Sequence, residues 1–132
     1  MGDLRVNEQV VLAAKPTPLV VSGGSGKARD QAGERFRAMF DNAPVAMALC
    51  DSFTGAVYDA NVSCLGIVGR TLAQLQLQGW MSITHPDDLA ENLELVGRLC
   101  RGELSSFCMT KRLLRPDNSV IFVNLSCRAI EL

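Results

Sequence analysis

The chain has 132 residues, 48% of them hydrophobic and 20% charged, so it has material for one domain with its own core and is not intrinsically disordered. Thirteen basic against fourteen acidic residues give a net charge of −1, and seven aromatics are present: Phe36, Phe40, Phe53, Tyr58, Trp80, Phe107 and Phe122. That supplies neither the basic field nor the stacking platform of a nucleic-acid binder, and no run approaches the ~18–20 apolar residues of a membrane span.

Residues 1–29 read as an extended arm with a linker. Apolar runs at 10–14 and 19–21 are separated by Lys15-Pro16-Thr17-Pro18, whose prolines forbid a continuous helix. Ser22-Gly23-Gly24-Ser25-Gly26 follows as a flexible stretch. Gly26-Lys27 is not a phosphate loop, because Val21 stands where its first glycine belongs and Ala28 where it has Ser or Thr.

From Asp30, a capping residue, Ala32, Phe36, Met39 and Phe40 recur at helical spacing until Asn42-Ala43-Pro44. Residues 45–50 and 56–60 predict a hairpin around Asp51-Ser52-Phe53-Thr54-Gly55. Asn61 caps a short helix over 62–67 that ends near Gly69, and residues 71–77 predict another turn or two. Thr84-His85-Pro86-Asp87-Asp88 is a helix start, with Thr84 and Asp87 resembling a capping box. Leu89, Leu93, Val96 and Cys100 mark the buried face of that helix, and Arg101-Gly102 ends it.

Two strands follow, over 106–115 and 119–129, with Pro116-Asp117-Asn118 as their turn. In the second, Ile121, Val123, Leu125, Cys127 and Ala129 face the core, and Val120, Phe122, Asn124, Ser126 and Arg128 face outward. In the first, Phe107, Met109 and Leu113 share the inward face with Lys111. A buried ammonium needs an anion, from a ligand or from a carboxylate of the protein, unless its stem carries the charge to the surface.

Five cysteines (Cys50, Cys64, Cys100, Cys108, Cys127) are an odd number without a CxxC pair, and the only histidine, His85, has no cysteine beside it. This argues against a disulfide framework and a zinc site, and for buried, reduced thiols in a cytoplasmic domain, whole or cut from a longer protein. Asp87 and Asp88 are explained by capping. No nucleophile, base and orienter can be assembled, so an enzyme is not expected.

The order of helix, hairpin, short helices, capped helix and long hairpin resembles a PAS domain over residues 30–132. The local sequence agrees in Glu34-Arg35-Phe36-Arg37-Ala38-Met39-Phe40-Asp41-Asn42-Ala43-Pro44-Val45, in Asn61, in Trp80 with Ile83-Thr84-His85-Pro86-Asp87-Asp88-Leu89, and in Lys111-Arg112-Leu113-Leu114-Arg115-Pro116-Asp117-Asn118-Ser119. Asn118 stands where the family usually has glycine.

The resemblance implies an α+β domain, an antiparallel five-stranded sheet with short helices on one face. Its fifth strand would lie centrally, between the first and the fourth, yet the sequence stops at Leu132 where the fourth ends. An empty slot would leave backbone groups unpaired. The N-terminal arm is therefore expected to fill it, chiefly through residues 5–13, within one chain or swapped between two.

By resemblance the interior is where such domains hold ligands, with Met47, Leu49, Leu65, Trp80, Ile83, Leu93, Val96, Met109, Lys111, Leu113, Val123 and Leu125 as candidate lining. Haem and flavin are not expected: His85 fits a helix start, and of the family's flavin motif Ser63-Cys64-Leu65-Gly66-Ile67-Val68 keeps only the cysteine. The implied function is a non-catalytic sensory or regulatory module of a multidomain bacterial signalling protein, linked to an output domain such as those of two-component or cyclic-di-GMP systems. The alternative is a structural dimerisation module with a filled core. Phe36, Met39, Phe40, Val120 and Phe122 are the candidate dimer surface.

Overall fold

The computed structural model describes residues 4–14, 26–51 and 54–129, with side chains from residue 31 onward. In chain order the elements are β1 (Leu4–Ala14), α1 (Gly26–Asn42), β2 (Met47–Cys50), β3 (Val57–Ala60), α2 (Val62–Val68), α3 (Leu72–Ser82), α4 (Pro86–Cys100), β4 (Ser106–Leu114) and β5 (Val120–Ala129). The expected linker over 22–25, the run at 19–21, and Ser52 and Phe53 of the first hairpin turn lie outside the described residues.

Five strands form one sheet in the order β3-β2-β1-β5-β4. The β2–β3 and β4–β5 pairs are antiparallel, as hairpins require. β1 lies between them and runs parallel to both, with Val11 beside Met47 and Val10 beside Leu125. The expectation of a uniformly antiparallel sheet is thereby corrected. Residues 15–46, with α1 among them, connect β1 to its neighbour β2, and a long crossover containing a helix is what parallel pairing needs.

α1 begins at Gly26, so Asp30 lies within the helix instead of capping it. Lys27-Ala28-Arg29 are good helix formers and carry the helix back to the glycine. The far end of α1 is tied down by an Arg37–Asp59 ion pair at 2.6 Å and by Phe40, which is 4% exposed. That burial removes Phe40 from the candidate dimer surface, and its ring stacks on Phe36 with centroids 5.3 Å apart.

Asn61 fixes the junction of α1, β2 and α2, fully buried with its amide used at both ends. Its Nδ2 donates to the Phe40 and Val45 carbonyls. Its Oδ1 accepts from the Met47 and Cys64 amides, the latter being the cap of α2. α2 ends on Gly69 in the left-handed region, φ 66. Thr71 and Gln74 form a capping box for α3, which runs further than residues 71–77 and kinks at Gly79, φ 77. The cap of α4 is His85, whose Nδ1 accepts from the Asp87 amide, and not Thr84, whose side chain is buried elsewhere.

The core sits between the helices and the face of β5 that carries Ile121, Val123, Leu125 and Cys127. Ala129 is exposed at the strand end. The buried face of α4 is Asn92, Val96 and Leu99, with Leu89 half-buried. It is thus turned by one position from the predicted Leu93 and Cys100.

Candidate functional site: a small cavity at Lys111

A cavity of about 40 Å³ lies between sheet and helices. Ala48 and Cys50 of β2, Lys111 and Leu113 of β4, and Val123 and Leu125 of β5 line the sheet side. Val57, Cys64, Ile67, Val68, Leu75, Trp80 and Ile83 complete it. The wall is apolar apart from the thiols and the one ammonium.

Lys111 reaches this wall through strand alternation: Phe107, Met109, Lys111 and Leu113 all point inward from β4 and are buried. The side chain does not snorkel, for Lys111 is only 4% exposed. Its Nζ donates to Asn92 Oδ1 at 2.7 Å and to Thr84 Oγ1 at 3.1 Å, and lies 5.2 Å from the centroid of the Trp80 ring. All three partners are neutral.

Among the described residues no carboxylate forms an ion pair with this ammonium. Asp88 is committed to Arg112, accepting from its backbone amide at 2.7 Å and from Nε and Nη2 at 2.9 Å. Burial therefore lowers the Lys111 pKa from 10.5 to about 8, against weaker opposing influences of Cys50, Cys127 and Asp88. Burial pushes the thiols the other way: Cys64 is raised to about 11, Cys127 to about 12, and Cys50 further.

The partners of Lys111 are themselves held. Thr84 Oγ1 donates to the Trp80 carbonyl, leaving its lone pairs for the ammonium. Trp80 is aimed by the Gly79 kink and fixed by Nε1 donating to the Asp51 carbonyl and its amide to the Gly55 carbonyl. Asn92 is fully buried, yet its Nδ2 has no hydrogen-bond partner among the described residues.

Of the twelve expected lining residues, Trp80, Ile83, Lys111, Leu113, Val123 and Leu125 surround the cavity. Met47 and Leu49 do not: the inward positions of β2 are Ala48 and Cys50, because the strand is apolar on both faces and its period does not say which is inside. Leu93 is 38% exposed on the outer side of α4. Leu65 packs half-buried at the edge of the core, while Val96 and Met109 are buried core residues away from the cavity wall. Sequence reading missed Asn92, which lies one position off the stripe drawn through Leu93, and took Thr84 for a helix cap where it is a buried partner of Lys111. Of the cysteines expected to be buried, Cys100 is half-buried and Cys108 is exposed.

The elements thus define an α+β domain with two hairpins in one five-stranded sheet, helices packed against it, and a small cavity between them. Two solved structures are similar to this chain in fold. One is the PAS domain of an HTR-like protein from Haloarcula marismortui, with TM-score 0.59 and 16% identity over 74% of this chain and 78% of that one. The other is a domain of a sensory box sensor histidine kinase/response regulator from Geobacter sulfurreducens, with TM-score 0.61 and 17% identity over 78% of this chain and 87% of that one. The chain has the PAS fold. The sequence matches no protein-family model and no curated protein.

Proposed function

We propose that this chain is a non-catalytic sensory or regulatory PAS module of a cytoplasmic, multidomain signalling protein, taking a small ligand in its interior and passing the response to a linked output domain. The observation that carries the reading is the buried Lys111 ammonium, which faces an apolar cavity with only neutral partners. A core that merely packs gains nothing from such a charge. The similarity in fold to a sensor-kinase domain supports the signalling role. No helix among the described residues is long and apolar enough to cross a membrane.

Native mass spectrometry of freshly purified protein, compared with the denatured mass, tests the ligand. A small molecule lost on denaturation supports it. A bare chain that is dimeric at every concentration favours the alternative, a structural dimerisation module. The small cavity volume and the exposure of Phe36 (49%) and Met39 (75%) on α1 favour that second reading. Phe36, Met39, Val120 and Phe122 form the surface we assign to self-association. Phe36→Asp should then lower the mass in analytical ultracentrifugation, and an unchanged dimer would exclude it.

We further propose that the 1–29 arm completes the domain, in place within one chain or exchanged between two. The register of β1 against β2 and β5 supports this. Deleting residues 1–14 should abolish cooperative unfolding, whereas unchanged melting would reduce the arm to a tail.

A further inference from the structure

We propose that the cavity at Lys111 is a site for a small monovalent anion, of the size of chloride or formate. This rests on the sensory reading above and gives the chemical class of its ligand. The donor count supplies the first reason. An ammonium has three hydrogens, and Lys111 directs bonds to two acceptors, Thr84 Oγ1 and Asn92 Oδ1. The same Asn92 amide, which backs Lys111 and is not itself part of the cavity wall, carries two more hydrogens on Nδ2 with no acceptor among the described residues. Around this one charge, donors outnumber acceptors.

Charge supplies the second reason. A water molecule could satisfy donors but would leave the positive charge uncompensated in an apolar wall, and a cation would be repelled. An apolar guest would satisfy neither. An anion meets both demands, because N–H donors to a charged acceptor form the stronger class of hydrogen bond. The contrast with Asn61 is instructive: its equally buried amide uses donors and acceptor alike.

Size narrows the class. With only about 40 Å³ of free space, the cavity is small and favours an ion of few heavy atoms.

Trp80, the only tryptophan of the chain, lies against the ammonium and reports on it. Its fluorescence is to be followed while sodium formate, and separately sodium chloride, replaces sodium gluconate at constant ionic strength. A saturable, single-site change is expected with at least one of the two. In Lys111→Met the affinity should fall about ten-fold or more, as loss of a charge-assisted hydrogen bond predicts. Asn92→Asp gives an independent test, since it places a carboxylate beside Nζ and should abolish the response while the far-ultraviolet circular dichroism stays native. A linear response to both salts, or a saturating one that survives in both variants, overturns the site. Should native mass spectrometry detect another bound molecule while both salts leave Trp80 unchanged, the anion falls and the sensory reading stands. With neither, both fall.

Discussion

Lys111→Met removes the buried charge and keeps most of the side-chain volume. In the folded protein burial holds the lysine pKa at about 8 against an ordinary 10.5. Between those values the unfolded chain binds the proton more tightly, so stability rises with pH there. The cost of the buried charge is fully present below about pH 8 and is relieved as the pH climbs toward 10.5. The gap between the two values corresponds to about 3 kcal/mol.

The substitution also leaves Asn92 Oδ1 and Thr84 Oγ1 without their donor, at about 1–3 kcal/mol each and nearly independent of pH. At neutral pH the two effects largely offset, which makes a single-pH comparison uninformative. Their pH dependence separates them. Relative to the variant, the parent should gain about 2.5 kcal/mol between pH 7 and pH 10. Urea unfolding of both proteins at intervals across that range, in gluconate and followed by circular dichroism, measures the difference directly. Asp88, paired with Arg112, and the Cys50, Cys64 and Cys127 thiols, raised by burial, stay in one protonation state over most of the range. Parallel stability curves would refute a buried, uncompensated Lys111.

Asn61→Ala should destabilise the domain by about 3 kcal/mol, since four backbone groups, two of them in buried bonds and two in half-buried ones, lose the side chain that ties them together; a loss below about 1 kcal/mol in urea unfolding would contradict that role. Gly79→Ala should cost more than about 1–3 kcal/mol, because φ 77 strains any side chain and the new Cβ would stand 2.8 Å from the Gly55 carbonyl oxygen. A near-neutral thermal melt would count against the kink. The Arg112 hydrogen bonds hold the Asp88 pKa below the usual carboxylate value. Its stabilisation is therefore present above about pH 4 and lost as the pH falls through the lower, folded value. Asp88→Asn should be less stable at neutral pH with a shallower acid limb, and coincident acid curves would argue otherwise.

What the sequence could reveal depended on whether a face was chemically marked. From Val123 on, β5 alternates apolar with polar residues, so Ile121, Val123, Leu125 and Cys127 were legible as core, and the same period in β4 put Lys111 inside. Asn61 and Gly69 were legible because caps demand particular residue types. Where both faces are apolar, the period is silent. Met47 and Leu49 were chosen on size, but Ala48 and Cys50 face the interior, where small residues leave the cavity its room.

α4 carries apolar residues at 89, 90, 93, 95, 96, 99 and 100, and more than one stripe fits them. Asn92 decides between them only once Lys111 is known to need an acceptor. The direction of β1 was not legible either. A strand sequence carries no sign of parallel or antiparallel pairing, and here the connection through α1 is what permits the parallel choice.

The most direct test of the buried ammonium is a pH titration of the lysine side chains by heteronuclear NMR of their Cε–Hε groups. Only Lys15, Lys27 and Lys111 contribute, and Lys111→Met assigns the third signal. The expected result is one lysine titrating near about 8, with its shift responding to formate or chloride. Three lysines all titrating near the ordinary value of about 10.4 would place Lys111 in water and remove the basis for the site.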